Sequence, residues 1–155
     1  FIKNTRKGDG RVILIGMSSG GATALEVASR LGLPIRFLAL SDAAFSSATD
    51  GRRHLGFQAA ECKNFFQTLS NQFKQEFHGP VSACGGNRDF SGDAEFSSAE
   101  TARKVKIAAL GALPGGFLKI NQVNQTFINN IHTMAVGKGN LAAFNRAKDI
   151  LRGPN

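Results

Sequence analysis

The stretch ILIGMSSGGATALEVASRLGLPIRFLALSD, residues 13–42, decides the fold. An apolar run stops at Gly16, passes two serines and two glycines, and then becomes helical in its spacing. RVILI, residues 11–15, is continuously apolar after its arginine, the pattern of a strand buried on both faces of a parallel sheet. Over 19–31 the positions Ala24, Leu25, Ala28 and Leu31 recur at helical spacing, and Gly32 is a stop signal. Residues 33–42 read as a second strand with an apolar body at 35–40. A strand, a helix and a strand within about 30 residues make a βαβ unit, which predicts parallel strands and a right-handed crossover. The expected class is α/β, a mostly parallel sheet with flanking helices in one domain over 1–155.

Outward from this unit the pattern is less regular. Residues 1–8 read as the end of a helix that stops at Gly8, and 43–58 as irregular chain. Phe65, Phe66, Leu69 and Phe73 suggest a helix over 59–75. GPVSACGG, residues 79–86, suggests a short third strand, and 85–100 a long polar loop. Residues 101–110 fit either a helix or a strand, and FLKINQV, residues 117–123, a further strand. The conformation around His132 is left open. A terminal helix over 140–151 presents Leu141, Phe144, Ala147, Ile150 and Leu151 on one face.

Gly16-Met17-Ser18-Ser19-Gly20 fits G-x-S-x-G, between a buried strand and a helix as that motif requires. A serine on such a sharp turn needs small neighbours, which Gly16 and Gly20 supply, with Gly21 beyond them. The following helix aims its positive end at the turn, and the Ser19 N–H becomes a natural oxyanion donor. A phosphate cradle is the competing chemistry. The turn lacks both G-x-G-x-x-G and the lysine of a P-loop. A purely structural turn is the other alternative.

A nucleophilic serine needs a base, and the base needs an acid to orient it. Of His54, His78 and His132, the last follows the final strand candidate and is the preferred base. His54 sits beside two arginines in a loop, and His78 precedes Gly79-Pro80 as a turn residue. Asp42 ends the strand after the nucleophile helix, at the edge where open parallel sheets bind ligands, and is the preferred acid. Asp89 and Asp93 are runners-up. The order Ser18, Asp42, His132 is the order such sites use. The reading requires no metal and no organic cofactor.

ILIGMSSGGATALEVASRLG, FLALSDAAF and INNIHTMAV together resemble a compact α/β-hydrolase of the bacterial lipase- or thioesterase-like kind. The resemblance implies a serine hydrolase acting on a small ester or acyl substrate. It also implies further strands before the nucleophile strand and a second oxyanion donor from an early loop. Only ten residues precede Arg11, so a truncated or minimal fold is expected, completed by upstream sequence, a partner chain or a second copy. A non-catalytic subunit that docks through its open sheet edge is the alternative class.

Composition narrows the field without choosing a reaction. An apolar fraction of 42% fits a globular chain. No apolar run approaches the ~18–20 residues of a membrane span. The net charge of +8 is scattered, with no run that interleaves cations and stacking aromatics, so nucleic acid is not an expected partner. Cys62 and Cys84 form no CxxC pair, and one bridge or two buried thiols both remain open. A segment over 43–77, rich in Phe, is the candidate cover and acyl pocket, although its phenylalanine stripe equally fits core packing.

Overall fold

The computed structural model describes residues 11–153, so the helix expected over 1–8 lies outside the described residues. Four parallel strands run in sheet order β1 (Ile13–Met17), β2 (Phe37–Ser41), β3 (Cys62–Phe66) and β4 (Gly86–Asp89). Helix α1 (Ser19–Arg30) joins β1 to β2, and the expected βαβ unit is present with its strands parallel. After β4 come α2 (Ala94–Gly111) and a long α3 (Gly116–Arg152). The α/β class read from the sequence holds.

The layers follow from side-chain alternation. All five residues of β2 are buried, because the strand has a neighbour on each side and helices on both faces. Leu38 and Leu40 face one way, into a core with Leu25, Ala28, Ile35, Phe45 and Val81. Phe37 and Ala39 face the other way, against Ala143, Ala147 and Ile150 of α3. A third cluster, Phe90, Phe96, Phe127, Ile131 and Ala135, joins α2 and α3 to the end of the sheet. β1 is half-buried rather than covered on both faces, since it pairs only with β2 among the described residues.

Several expectations change. The helix expected over 59–75 is strand β3 followed by a 3-10 turn, Leu69–Phe73. The i, i+4 spacing of Phe65, Leu69 and Phe73 arises because a strand end and a turn both feed the third cluster. β3 itself buries Cys62, Asn64 and Phe66 in alternation, the strand period. The third strand expected at 79–86 lies later, at β4, while Val81 and Cys84 plug the first core as loop residues. The 85–100 loop is shorter than expected, because β4 takes its first residues and α2 begins at Ala94 and absorbs 101–110 as helix.

FLKINQV is helical rather than a strand: it opens α3 after a left-handed Gly115 at φ 70° and has no sheet neighbour. α3 also contains the expected terminal helix, but on a different face. Ala143, Ala147 and Ile150 are buried, whereas Leu141, Phe144 and Leu151 are exposed. A disulfide joins Cys62, at the start of β3, to Cys84. No helix among the described residues is long and apolar enough to cross a membrane.

Candidate active site

Ser18 and Asp42 each occupy the first position after a strand, β1 and β2, at the carboxyl edge of the sheet. Both backbones are left-handed, Ser18 at φ 53° and Asp42 at φ 44°. Such conformations cost about 1–3 kcal/mol at a residue with a side chain, and they persist only where the surroundings hold them. At Ser18 the holding contacts are explicit. Its N–H donates to the Ser41 carbonyl at 3.1 Å, and its own carbonyl accepts from Gly21 and Ala44, both at 2.9 Å. The Asp42 N–H donates to the Phe65 carbonyl at 2.7 Å.

The space around the turn is as tight as the motif demands, with one correction. A Cβ at Gly16 would lie 2.7 Å from the Gly20 carbonyl oxygen and 2.8 Å from Ala24 Cβ. A Cβ at Gly21 would collide with Ala43. Gly20, expected to supply room, faces open space. The tight positions are therefore Gly16 and Gly21, where helix α1 crosses back over the sheet.

His132 enters from α3, which crosses the sheet and lies close against Ser41 and Phe65 at Gly139. Its Nδ1 lies 2.6 Å from Asp42 Oδ2, and its Nε2 lies 2.9 Å from Ser18 Oγ. Three residues separated by up to 114 positions thus form one hydrogen-bonded chain. Its geometry assigns the tautomer: Nδ1 donates to the carboxylate, leaving Nε2 to accept from the hydroxyl. Ser19 opens α1, and helix geometry leaves its N–H without an intrahelical acceptor beside Ser18.

Asp42 is fully buried and densely solvated by protein donors. The Gln67 N–H bonds Oδ1 and the Gln67 side-chain amide bonds Oδ2, each at 3.2 Å. Ser70 in turn accepts from the same amide at 2.8 Å. Burial alone would raise the Asp42 carboxyl. Hydrogen bonds from His132 and His78, the charge of His78 and the Gln67 bond outweigh it and hold the group below the usual carboxylate range.

His78 is the residue that the sequence reading passed over as a turn position. Its ring is buried, and Nδ1 lies 3.1 Å from Asp42 Oδ1 and 3.0 Å from the Ala43 carbonyl. The signal that marks it is spatial: after the 3-10 turn Phe77 pairs with Phe45 and brings His78 against the chain that follows β2, fixed by Asn71, whose side chain bonds both the N–H and the carbonyl of His78. The other candidates lie elsewhere. His54 bonds Ser82 at the surface, Asp89 accepts from the Ser91 N–H, and Asp93 pairs with Arg88 and Lys138.

Asp42, His78 and His132 offer ligand atoms within 4.8 Å of one another, a spacing that a metal ion also accepts. The arrangement fits proton sharing better. Both Nδ1 atoms sit at hydrogen-bond distance from different oxygens of one carboxylate, and a cation there would displace both bonds. Beside the chain of three lies a cavity of about 350 Å³ lined by Ser18, Ser70, Gln75, Glu76, Asn129 and His132, among others. The phenylalanines suggested as an acyl pocket are elsewhere, Phe65 and Phe73 against the third cluster and Phe66 in the interior. Comparison with protein-family models, curated proteins and solved structures finds no match.

Proposed function

We propose that the chain is a serine hydrolase of the α/β-hydrolase type that cleaves a small carboxylic ester or thioester. The observation that carries this reading is the hydrogen-bonded chain from Ser18 Oγ through His132 to Asp42 at the carboxyl edge of a parallel sheet. Ser18 Oγ attacks the acyl carbon while His132 Nε2 takes its proton. His132 then protonates the leaving alkoxide or thiolate, and the acyl group remains on Ser18. Water attacks the acyl-enzyme, giving a proton to His132, and the carboxylic acid leaves as Ser18 recovers its proton. Asp42 holds the Nδ1–H tautomer and balances the imidazolium. The Ser19 N–H, at the positive end of α1, faces the developing oxyanion.

The lining of the cavity favours short, polar acyl or leaving groups. Ser70, Gln75, Glu76 and Asn129 offer hydrogen bonds, and Ile128 is the aliphatic side chain in it. A fluorophosphonate probe tests the reading directly. Labelling is expected in the native chain and lost in Ser18→Ala. Labelling that survives Ser18→Ala, or ester turnover that survives His132→Ala, overturns it.

A second reading rests on β1, which has a strand neighbour on one side only among the described residues and half-buried Ile13, Leu14 and Ile15. An open edge of this kind accepts another strand from a partner chain or a second copy. In this reading the chain is a binding module whose hydroxyl and imidazole do no chemistry. Size-exclusion chromatography separates the two: an active monomer removes the module reading, and an inactive chain that self-associates favours it.

A further inference from the structure

Asp42 has two oxygens, and His132 uses only one of them. Oδ2 faces His132 at 2.6 Å, while Oδ1 faces His78 at 3.1 Å. The two imidazoles lie with ring centroids 5.4 Å apart, tilted by 45°. They therefore compete for one carboxylate, and their other nitrogens differ. His132 Nε2 faces a hydroxyl, Ser18 Oγ. His78 Nε2 faces a second carboxylate, Glu76 Oε2, at 3.8 Å. A proton added to His78 is balanced on both sides of the ring. One added to His132 is balanced on one side and breaks the bond that Nε2 accepts from Ser18.

We propose that His78 is a positioning residue of this site, which holds the far oxygen of Asp42 and so fixes the carboxylate that orients His132. This rests on the reading of Ser18, His132 and Asp42 as the reacting chain. The ionisable groups facing His78 among the described residues are Asp42 at the end of β2, Glu76 on its own segment and His132 on α3. Burial works against charge on His78. The hydrogen bond to Asp42 and its charge, with Glu76 and the Ala43 carbonyl, outweigh that and raise its proton affinity.

The test is a pH titration of the histidine ring resonances by NMR on the full chain, native and His78→Asn. Asparagine puts a side-chain N–H near the position of Nδ1 but cannot take a proton. The His78 ring should titrate above the ordinary imidazole range, held there by Asp42 against its burial, and kcat of His78→Asn should stay close to native because a donor to Oδ1 is kept. His78→Leu removes the donor as well, so kcat should fall about tenfold or more while KM changes little, with Asn restoring most of the loss. A His78 ring that titrates at or below the ordinary imidazole range overturns the inference, as does a kcat identical in the Asn and Leu variants. If the His78 titration is raised but no ester is cleaved and Ser18 takes no probe, the bond from His78 to Asp42 stands and the hydrolase reading alone fails.

Discussion

Gly139→Ala is the perturbation that most directly links packing to chemistry. Gly139 lies seven residues after His132 on α3, about 10 Å along the axis, where the helix crosses β2 and β3. A Cβ there would meet Ser41 Oγ at 2.8 Å, Ser41 Cβ at 3.0 Å and Phe65 Cβ at 3.2 Å. Carbon contacts relax at about 3.5–4.0 Å, so α3 must lift from the sheet by roughly half an ångström. Overpacking of this kind costs about 1–3 kcal/mol, and the better helix propensity of alanine returns about 1. The expected net is a loss of about 1 kcal/mol, or a Tm lower by about 2–4 °C for a chain of this size. The lift is transmitted to the two bonds that His132 makes, at 2.6 and 2.9 Å. A misplacement of 1 Å costs about a hundredfold in rate, so half of that predicts roughly a tenfold fall in kcat. Gly137→Ala is the internal control, because a Cβ there meets nothing within 4 Å. It should gain about 0.5–1 kcal/mol and leave turnover unchanged. Urea denaturation with initial-rate measurements on both variants decides the matter. If Gly139→Ala stabilises the chain as Gly137→Ala does, the close crossing is not what seats α3.

Asp42→Asn keeps the shape but loses the charge that sets the His132 tautomer, and kcat is expected to fall by about 10³-fold or more, with Ser18 probe labelling slowed in parallel. Reducing the Cys62–Cys84 bridge opens a closure of 22 residues, and the chain-entropy estimate is a loss of about 3 kcal/mol, read as a lower midpoint in urea with reductant present. The pH dependence of stability carries two opposite signatures. Asp42, held low by its donors, contributes above about pH 4 and loses that contribution as pH falls through its depressed value. His78, held high, contributes fully below about pH 6.5 and loses its contribution as pH rises through its elevated value. Thermal melts should therefore show the greatest stability between about pH 4 and 6.5, and His78→Asn should flatten the alkaline side of that maximum.

The βαβ unit and its two site residues were legible because every signal there is local. A continuous apolar run, a glycine turn and a helical stripe each lie within one element, and the carboxyl edge of a parallel sheet fixes where Ser18 and Asp42 stand. β3 was illegible for the opposite reason. The side-chain nitrogen of its buried Asn64 bonds Gly79 and Asn87, which are distant in sequence, and its Phe65 serves a cluster built largely by α2 and α3. His78 was read as a turn because its partner, Asp42, lies 36 positions upstream, and no local pattern connects the two.

The case of α3 is different, because a signal was present but of a kind that hydropathy does not weigh. Phe127, Ile131, Ala135, Gly139, Ala143 and Ala147 recur every four residues and are all buried. Four of the six are Gly or Ala, whose small apolar surfaces add little to any hydrophobic stripe. Small side chains are what let a helix backbone lie close to a sheet. Close approach is in turn what allows His132, one position beyond Ile131, to reach a carboxylate at the sheet edge with a short imidazole. A larger residue at Gly139 would cost the site its geometry before it cost the fold its core. His132 therefore derives its position from a stripe of small residues along a long helix and not from a loop. That is why the placement of His132 answers to Gly139 two turns away as well as to Asp42 beside it.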